Sequence, residues 1–263
     1  MTPSALVLGH RGMLGHVVCR YLVEQGRRVE VLDERYAAGR ELEFVSAAVA
    51  CRTDAVVNCI GLATGSPAEL VRVNGSLPQL LAARLGGRLL VQPSTDGVFS
   101  GRQGPYSPSA RPDAEDAYGL SKRLGECCAT LGTAVVLRSS LVGPEHGTAR
   151  SLLGWLRDQA GTVRGFTDQL WNGVTTLCWA KVCARALDGA LAPGVHQLGT
   201  EAAVTKCELL ERLCETFELC VRVEPHASGR PIDRRLVPTE RCPPLVEQLL
   251  EARRWYAAGT HLR

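Results

Sequence analysis

At 263 residues, with 45% hydrophobic and 22% charged side chains, the chain has ordinary globular composition and suffices for one large domain or two small ones. A formal net charge of +3, scattered arginines and only 5% aromatic residues argue against a basic nucleic-acid arm or a base-stacking platform. No apolar run approaches the ~20 residues that span a bilayer. The start, MTPSALVLGHRGMLG, lacks the basic flank and extended apolar segment of a signal peptide, so a cytoplasmic protein is expected, with no membrane and no nucleic-acid partner. The eleven cysteines are odd in number and contain no C-x-x-C pair. They read as reduced thiols acting as small hydrophobes rather than as a disulfide framework or a zinc site, and no metal is expected.

Ala5–Leu8 reads as a short buried strand, followed by Gly9-His10-Arg11-Gly12-Met13-Leu14-Gly15 and an amphipathic helix running to Gly26. Val29–Leu32 is a second strand, ending in Asp33. Strand, glycine turn, helix, strand and acid in this order form a dinucleotide-binding arrangement with G-x-x-G-x-x-G spacing. Gly9 permits the tight turn, Gly12 the approach of a pyrophosphate, and Gly15 close packing of helix on strand. The helix N-terminus offers free N–H groups to phosphate. Asp33 would accept hydrogen bonds from a ribose 2′-hydroxyl, which favours NADH, whereas His10, Arg11 and Arg35 would neutralise a 2′-phosphate, which favours NADPH; both cofactors stay open.

Glu41–Thr53 is a short mixed helix, and Ala55–Ile60 a third strand ending in Asn58-Cys59-Ile60-Gly61. Small residues there suit a strand end beneath a cofactor. Ala68–Leu85 reads as a long helix interrupted at Pro78, and Gly87–Pro93 as a buried strand. Phe99 to Asp113, dense in Gly, Pro and Ser, reads as a loop over the carboxyl end of that strand. From Asp116 the pattern turns helical and places Tyr118 and Lys122 on one face. An ammonium beside a phenol favours the phenolate, so the tyrosine pKa is expected to fall. Thr95, at the strand end, would set a hydroxyl beside the phenol. Thr133–Leu137 is the next strand, and Ser151–Gln159 a Leu/Trp-rich helix. The polar-aromatic stretch Gly165–Gly173 suits a rim that stacks a ring, although Trp171 and Asn172 read equally well as an aromatic anchor and a loop cap. Val174–Leu191, Lys206–Leu219 and Pro243–Tyr256 read as further helices.

These motifs together resemble the extended short-chain dehydrogenase/reductase superfamily and, more narrowly, the dTDP-4-dehydrorhamnose reductase family. The resemblance rests on GHRGMLG (9–15), VVNCIG (56–61), VN (73–74), STDGVFSG (94–101), YGLSK (118–122) with LGE, LRSSLVG (137–143), FTDQLWNG (166–173) and GVHQLG (194–199), in order over nearly the whole chain. It implies an α/β fold: a doubly wound parallel sheet (Rossmann-type) with a smaller C-terminal substrate-binding region. Residues 1–145 plus about 164–195 would bind the dinucleotide, and about 146–163 plus 196–263 the substrate. The implied activity is NADPH- or NADH-dependent reduction of a keto group, at C4, of a nucleotide-activated deoxysugar, with a crevice at the strand carboxyl ends as active site. Thr95, Tyr118 and Lys122 would be catalytic.

Cofactor contacts would come from Gly9, Arg11, Gly12, Met13, Leu14, Asp33, Arg35, Cys59, Gly61, Asn74, Ser94, Tyr118 and Lys122. Substrate contacts would come from Asp96, Val98, Ser139, Leu141, Gln169, Trp171, Asn172 and Arg230. A homodimer is usual in the superfamily. The chain departs from the pattern at Leu141, where relatives carry Trp, at Gly97, where Tyr is common, and at YAAGRELEF, which replaces a short strand near the adenine. A sugar-nucleotide epimerase, a reductase of a non-sugar carbonyl, or a non-catalytic NAD(P)-binding regulatory subunit are the alternative readings. Tightly held NAD would mark the epimerase, and the intact Thr, Tyr and Lys weigh against the regulatory subunit.

Overall fold

The protein is described from a computed structural model covering residues 2–145 and 151–258; the domain boundary expected near 145–146 abuts residues 146–150, which lie outside the described residues. Two compact units are formed by Met1–Phe99, Arg111–Arg138 and Ala180–His196, and by Ser100–Ala110, Ser139–Trp179 and Gln197–Arg263.

In the first unit, β1 (Ala5–Leu8), α1 (Gly15–Glu24), β2 (Val29–Val31), α2 (Glu41–Ala50) and β3 (Ala55–Asn58) follow the expected order. Next come α3 (Pro67–Leu70), a wide π turn (Val71–Ser76), α4 (Leu77–Arg84), β4 (Leu89–Ser94), α5 (Ala117–Glu126) and β5 (Ala134–Arg138). The strands pair in parallel in the order β2-β1-β3-β4-β5. β1, β3 and β5 are buried along their whole length, as expected of strands covered on both faces. Leu6, Leu8, Val56, Leu90 and Val136 pack with Phe44, Val45, Leu77 and Leu81 of the covering helices. From β1 the chain runs outward to β2 and then crosses back to β3. The carboxyl ends of β1 and β3 therefore flank the switch point where such sheets bind ligands.

The long helix expected over 68–85 is present as the contiguous run α3, π turn and α4, and its interruption falls just before Pro78, which sits in the first turn of α4. Lacking an N–H, it leaves the Asn74 carbonyl without its usual donor, and the chain widens into the π turn just before it. Gly125 of α5 packs against that carbonyl so closely that a Cβ would lie 2.1 Å from it.

The second unit contains β6 (Leu141–Val142), α6 (Leu152–Arg157), β7 (Gly161–Phe166), β8 (Gln169–Trp171) and β9 (Val174–Thr175). α7 (Thr176–Leu187) and β10 (Gly194–Gly199) each have residues assigned to both units. β11 (Val204–Thr205), α8 (Lys206–Phe217), β12 (Val221–His226), β13 (Ile232–Asp233), β14 (Glu240–Arg241) and α9 (Leu245–Ala258) complete it. β7 pairs in parallel with β12, and β8 lies between β11 and β13. β14 pairs in parallel with Leu198–Gly199 of β10. A separate core forms around Leu153, Leu156, Trp171, Leu209, Leu213 and Leu249. α8 starts at a capping box, Thr205 with Glu208, which satisfies two otherwise free N–H groups. Among the described residues no helix is long and apolar enough to cross a membrane.

Candidate active site

The glycine turn leaves β1 at Gly9, whose φ of 75° favours glycine, and closes with Gly12 N–H donating to the Gly9 carbonyl at 3.0 Å. A Cβ on Gly15 would stand 2.1 Å from the Gly9 oxygen, and one on Gly9 would stand 3.0 Å from Cys59 and Ile60. Beside the turn opens a cleft of about 340 Å³ lined by Gly9, His10, Arg11, Gly12, Leu32, Asp33, Glu34, Arg35, Tyr36, Cys59, Ile60 and Gly61. Seven of the sequence-predicted cofactor residues meet in it: Gly9, Arg11, Gly12, Asp33, Arg35, Cys59 and Gly61. The bare floor, the helix start and the charged far wall fit a dinucleotide. Arg11 Nη2 donates to Asp33 Oδ1 at 2.8 Å and His10 Nε2 lies 3.8 Å from the same oxygen. Tyr36, in the stretch that departs from the family pattern, carries the Arg72 guanidinium 5.3 Å from its ring centroid and Phe44 edge-on.

Met13 and Leu14 are not part of this lining; Leu14 is buried at the start of α1. Asn74 serves as a brace. Its amide donates to the Leu62 carbonyl at 2.8 Å and to Ser121 Oγ at 3.0 Å, and its oxygen accepts from Leu62 N–H at 2.9 Å. The loop after β3 is thus tied to α5.

The second cluster stands on β4 and α5. Asp116 caps α5, accepting from Gly119 N–H at 2.9 Å. Thr95 Oγ1 accepts from Gly97 N–H at 3.0 Å and donates to Asp96 Oδ1 at 3.1 Å. The Thr95 hydroxyl and the Tyr118 ring both face Gly97. Gly97 leaves room for the phenol: a Cβ there would lie 3.3 Å from the Tyr118 ring and 3.2 Å from Thr95 Oγ1. Lys122 Nζ donates to the Pro93 carbonyl at 2.8 Å, at the end of β4.

The expected fall in the tyrosine pKa is not what the structure holds. Burial pushes the Tyr118 phenol above its ordinary value, with Asp96 and Asp116 adding to the rise and the Thr95 hydroxyl opposing it. Burial likewise pulls the Lys122 ammonium down to about 8, against the carboxylate of Glu126.

Two residues outside the expected set complete this cluster. Glu126 accepts from Ser94 Oγ at 2.6 Å and takes Arg138 on both oxygens, at 2.9 and 2.7 Å, all three being buried. Ser94, expected among the cofactor contacts, is committed to this network. The signal for Glu126 was in the sequence: it stands four residues after Lys122, on the same helical face. Buried Asn58 donates to Gln92 Oε1 at 2.8 Å, and Gln92 donates to the Pro93 carbonyl at 3.1 Å, the oxygen that also receives Lys122.

Several expected substrate contacts have other duties. Val98 is fully buried, so its side chain belongs to the core, while Asp96 stays half-buried next to Thr95. In the second unit Trp171 is buried and donates from Nε1 to Ser140 Oγ at 2.8 Å. Asn172 is buried too, donating to the Thr200 and Leu236 carbonyls at 3.1 and 2.8 Å and accepting from Leu236 N–H at 3.1 Å. Both have the burial and bonding of an aromatic anchor and a backbone cap. A buried indole finds its partner, and a buried amide spends every bond on backbone.

Ser139 is buried with no hydrogen-bond partner for its hydroxyl, and Leu141 is half-buried on β6. Asp168 accepts from Ser228 N–H, Ser228 Oγ and Gly229 N–H at 2.9 to 3.0 Å, which holds the turn presenting exposed Arg230. Gln169 lines a pocket of about 360 Å³ with Leu152, Trp155, Arg164, Phe166, Lys206 and Leu210. Phe166 and Gln169 belong to the stretch read as a rim; the rest of the lining was not legible as a site, because it gathers from separate segments.

The doubly wound parallel sheet with a glycine turn at its switch point defines a Rossmann-type α/β fold, the class in which ligands bind at the strand carboxyl ends. Residues 3–242 match the family described as RmlD substrate binding domain, and the chain belongs to that family. A probable low-salt glycan biosynthesis reductase, Agl14, of Haloferax volcanii is 29% identical over 240 residues, 81% of this chain and 80% of that protein. The fold is shared with dTDP-4-dehydrorhamnose reductase from Bacillus anthracis in complex with NADP, at a TM-score of 0.83 and 18% identity over 98% of this chain and 100% of that one. The enzyme of the same name from Clostridium acetobutylicum gives a TM-score of 0.78 at 20% identity, covering 97% and 99%.

Proposed function

We propose that this protein is an NAD(P)H-dependent reductase of a keto group, at C4, in a nucleotide-activated deoxysugar. The observation that carries the reading is the placement of the Thr95 hydroxyl and the Tyr118 ring together against Gly97, with Lys122 one turn along α5 reaching the end of β4. Membership of the family and the reductases among the relatives, one solved with NADP, support it. The dinucleotide is assigned to the cleft at the glycine turn, held by Gly9, Arg11, Gly12, Asp33, Arg35, Cys59 and Gly61. A reduced nicotinamide supplies the hydride when bound.

Tyr118 gives its proton to the carbonyl oxygen; a buried phenol stays protonated at neutral pH and can therefore act as the acid. Thr95, whose hydroxyl accepts from Gly97 N–H and lies beside the phenol, orients that oxygen. Lys122 contributes a buried cation that favours negative charge developing on the oxygen and on the phenol. In the second unit, the pocket walled by Trp155 and Phe166 with Arg164 and Lys206 suits the ring of a nucleotide, and Gln169 and Arg230 are the remaining candidates for substrate contact. Trp171, Asn172 and Val98 are left to the scaffold.

The test is a panel of 4-keto and 3-keto nucleotide sugars with NADPH and NADH, followed by absorbance. Turnover with a 4-keto sugar and its loss by about 10²-fold in Tyr118→Phe is the expected outcome. No oxidation of either cofactor across the panel, or near-normal turnover in that variant, rejects the reading.

A further inference from the structure

Glu126 stands one helical turn beyond Lys122, with only 8% of its side chain exposed. Arg138, 4% exposed at the end of β5, grips both carboxylate oxygens, and its guanidinium lies 5.0 Å from the centroid of the Phe99 ring. Burying such a pair costs the hydration of both ions, and an apolar pair of the same volume often serves stability as well or better. Stability alone is therefore a weak reason for these residues. Their placement gives another. Ser94, which donates to Glu126, and Pro93, which accepts from Lys122, are neighbours at the end of β4 beside Thr95. α5 is thus tied to β4 at two successive turns, and to β5 through Arg138.

We infer that Glu126, held by Arg138 and Ser94, is a positioning residue for the Tyr118–Lys122 pair, fixing α5 against the strand ends and sharing its negative charge between Arg138 and the buried Lys122 ammonium. This deepens the proposed function, on which its catalytic consequence rests. Lys122 has Tyr118 and Glu126 on its own helix, Cys128 from the turn after α5 and Cys59 from the end of β3 as its titratable neighbours; Arg138 acts on it through Glu126. Among them Glu126 is the carboxylate that opposes the effect of burial. Removing its charge lowers the lysine pKa. Removing Arg138 leaves the carboxylate's field on Lys122 undiluted and raises it. Loosened packing does not produce opposite shifts from two halves of one ion pair.

Lys122, Lys181 and Lys206 are the chain's lysines, so 13Cε-lysine NMR of the folded protein without cofactor reads them separately, with Lys181→Arg and Lys206→Arg for assignment. Expected are a fall of about one pH unit in Glu126→Gln, a rise of similar size in Arg138→Met, and a smaller fall in Glu126→Asp. The basic limb of kcat against pH should follow in the same directions. An unchanged Lys122 titration in all variants that remain folded by circular dichroism, or shifts of one sign in Glu126→Gln and Arg138→Met, overturns the inference. If the titrations move as expected but the kcat limb does not, the positioning role is rejected while the reductase reading stands. Wild-type protein without turnover counts against that reading alone, and the NMR arm still decides the charge coupling.

Discussion

Tyr118 and Lys122 titrate in opposite directions for one reason: burial disfavours the charged form of each. The phenol stays a proton donor, and the amine becomes easier to discharge. An arginine could not do this, because its guanidinium stays protonated even when buried. The lowered lysine pKa also bears on stability. Its folded value of about 8 lies below the unfolded value of 10.5, so between these the unfolded chain binds more protons and the lysine's contribution rises with pH. Below pH 8 the folded state bears the full penalty, on the order of 3 kcal/mol. Against Lys122→Met, which keeps the stem without the charge, the wild type should therefore gain stability as pH rises from 7.5 to 10. Raised thiols and Tyr118 lose stability over the upper part of that range in both proteins, and because Cys59 and Cys128 interact with Lys122 the two proteins are compared between pH 7.5 and 9, below the ordinary thiol value. Urea unfolding at several pH values measures the difference, and a gap that does not change with pH contradicts the assignment of a buried ammonium.

At the scale of elements, the site depends on close approaches that only glycine allows. α5 meets the π turn where a Cβ on Gly125 would come within 2.1 Å of the Asn74 backbone oxygen and one on Gly75 within 2.7 Å of Leu124. Gly125→Ala should cost about 3 kcal/mol, since backbone rather than a flexible side chain must give way. It should also weaken the Asn74–Ser121 bridge to α5. Thermal unfolding checks the first effect, and a midpoint equal to wild type would show that the two elements can part without loss. Elements of the first unit were legible in the sequence because strands covered on both faces read as unbroken apolar runs and the helices beside them keep a helical period. The strands of the second unit were not. β7, GTVRGF, and β12, VRVEPH, are polar and half-exposed, and β8, β11, β13 and β14 are two or three residues long. Too short or too polar to show a period, they are defined by the partners they pair with.

On the scale of the whole molecule, all eleven cysteines are free, and most are buried or half-buried. Burial pushes the thiols of Cys19 and Cys128 up to about 12 and that of Cys183 higher still. A thiol reagent at pH 8 should therefore titrate the exposed Cys127 and Cys220 rapidly in the native protein and all eleven after denaturation without reductant. Fewer than eleven in the denatured chain would reveal disulfides. The sequence by itself determined the class of fold, the glycine turn with Asp33, and the Thr95, Tyr118 and Lys122 set, because each rests on local spacing: a turn, a strand end, a helical face. Only the tertiary structure decided that Trp171, Asn172 and Val98 are buried, that Glu126 and Arg138 pair one turn beyond the lysine, and that burial outweighs the Thr95 hydroxyl at Tyr118. Burial and pairing join residues far apart in the chain, and no local pattern carries the dielectric that surrounds them.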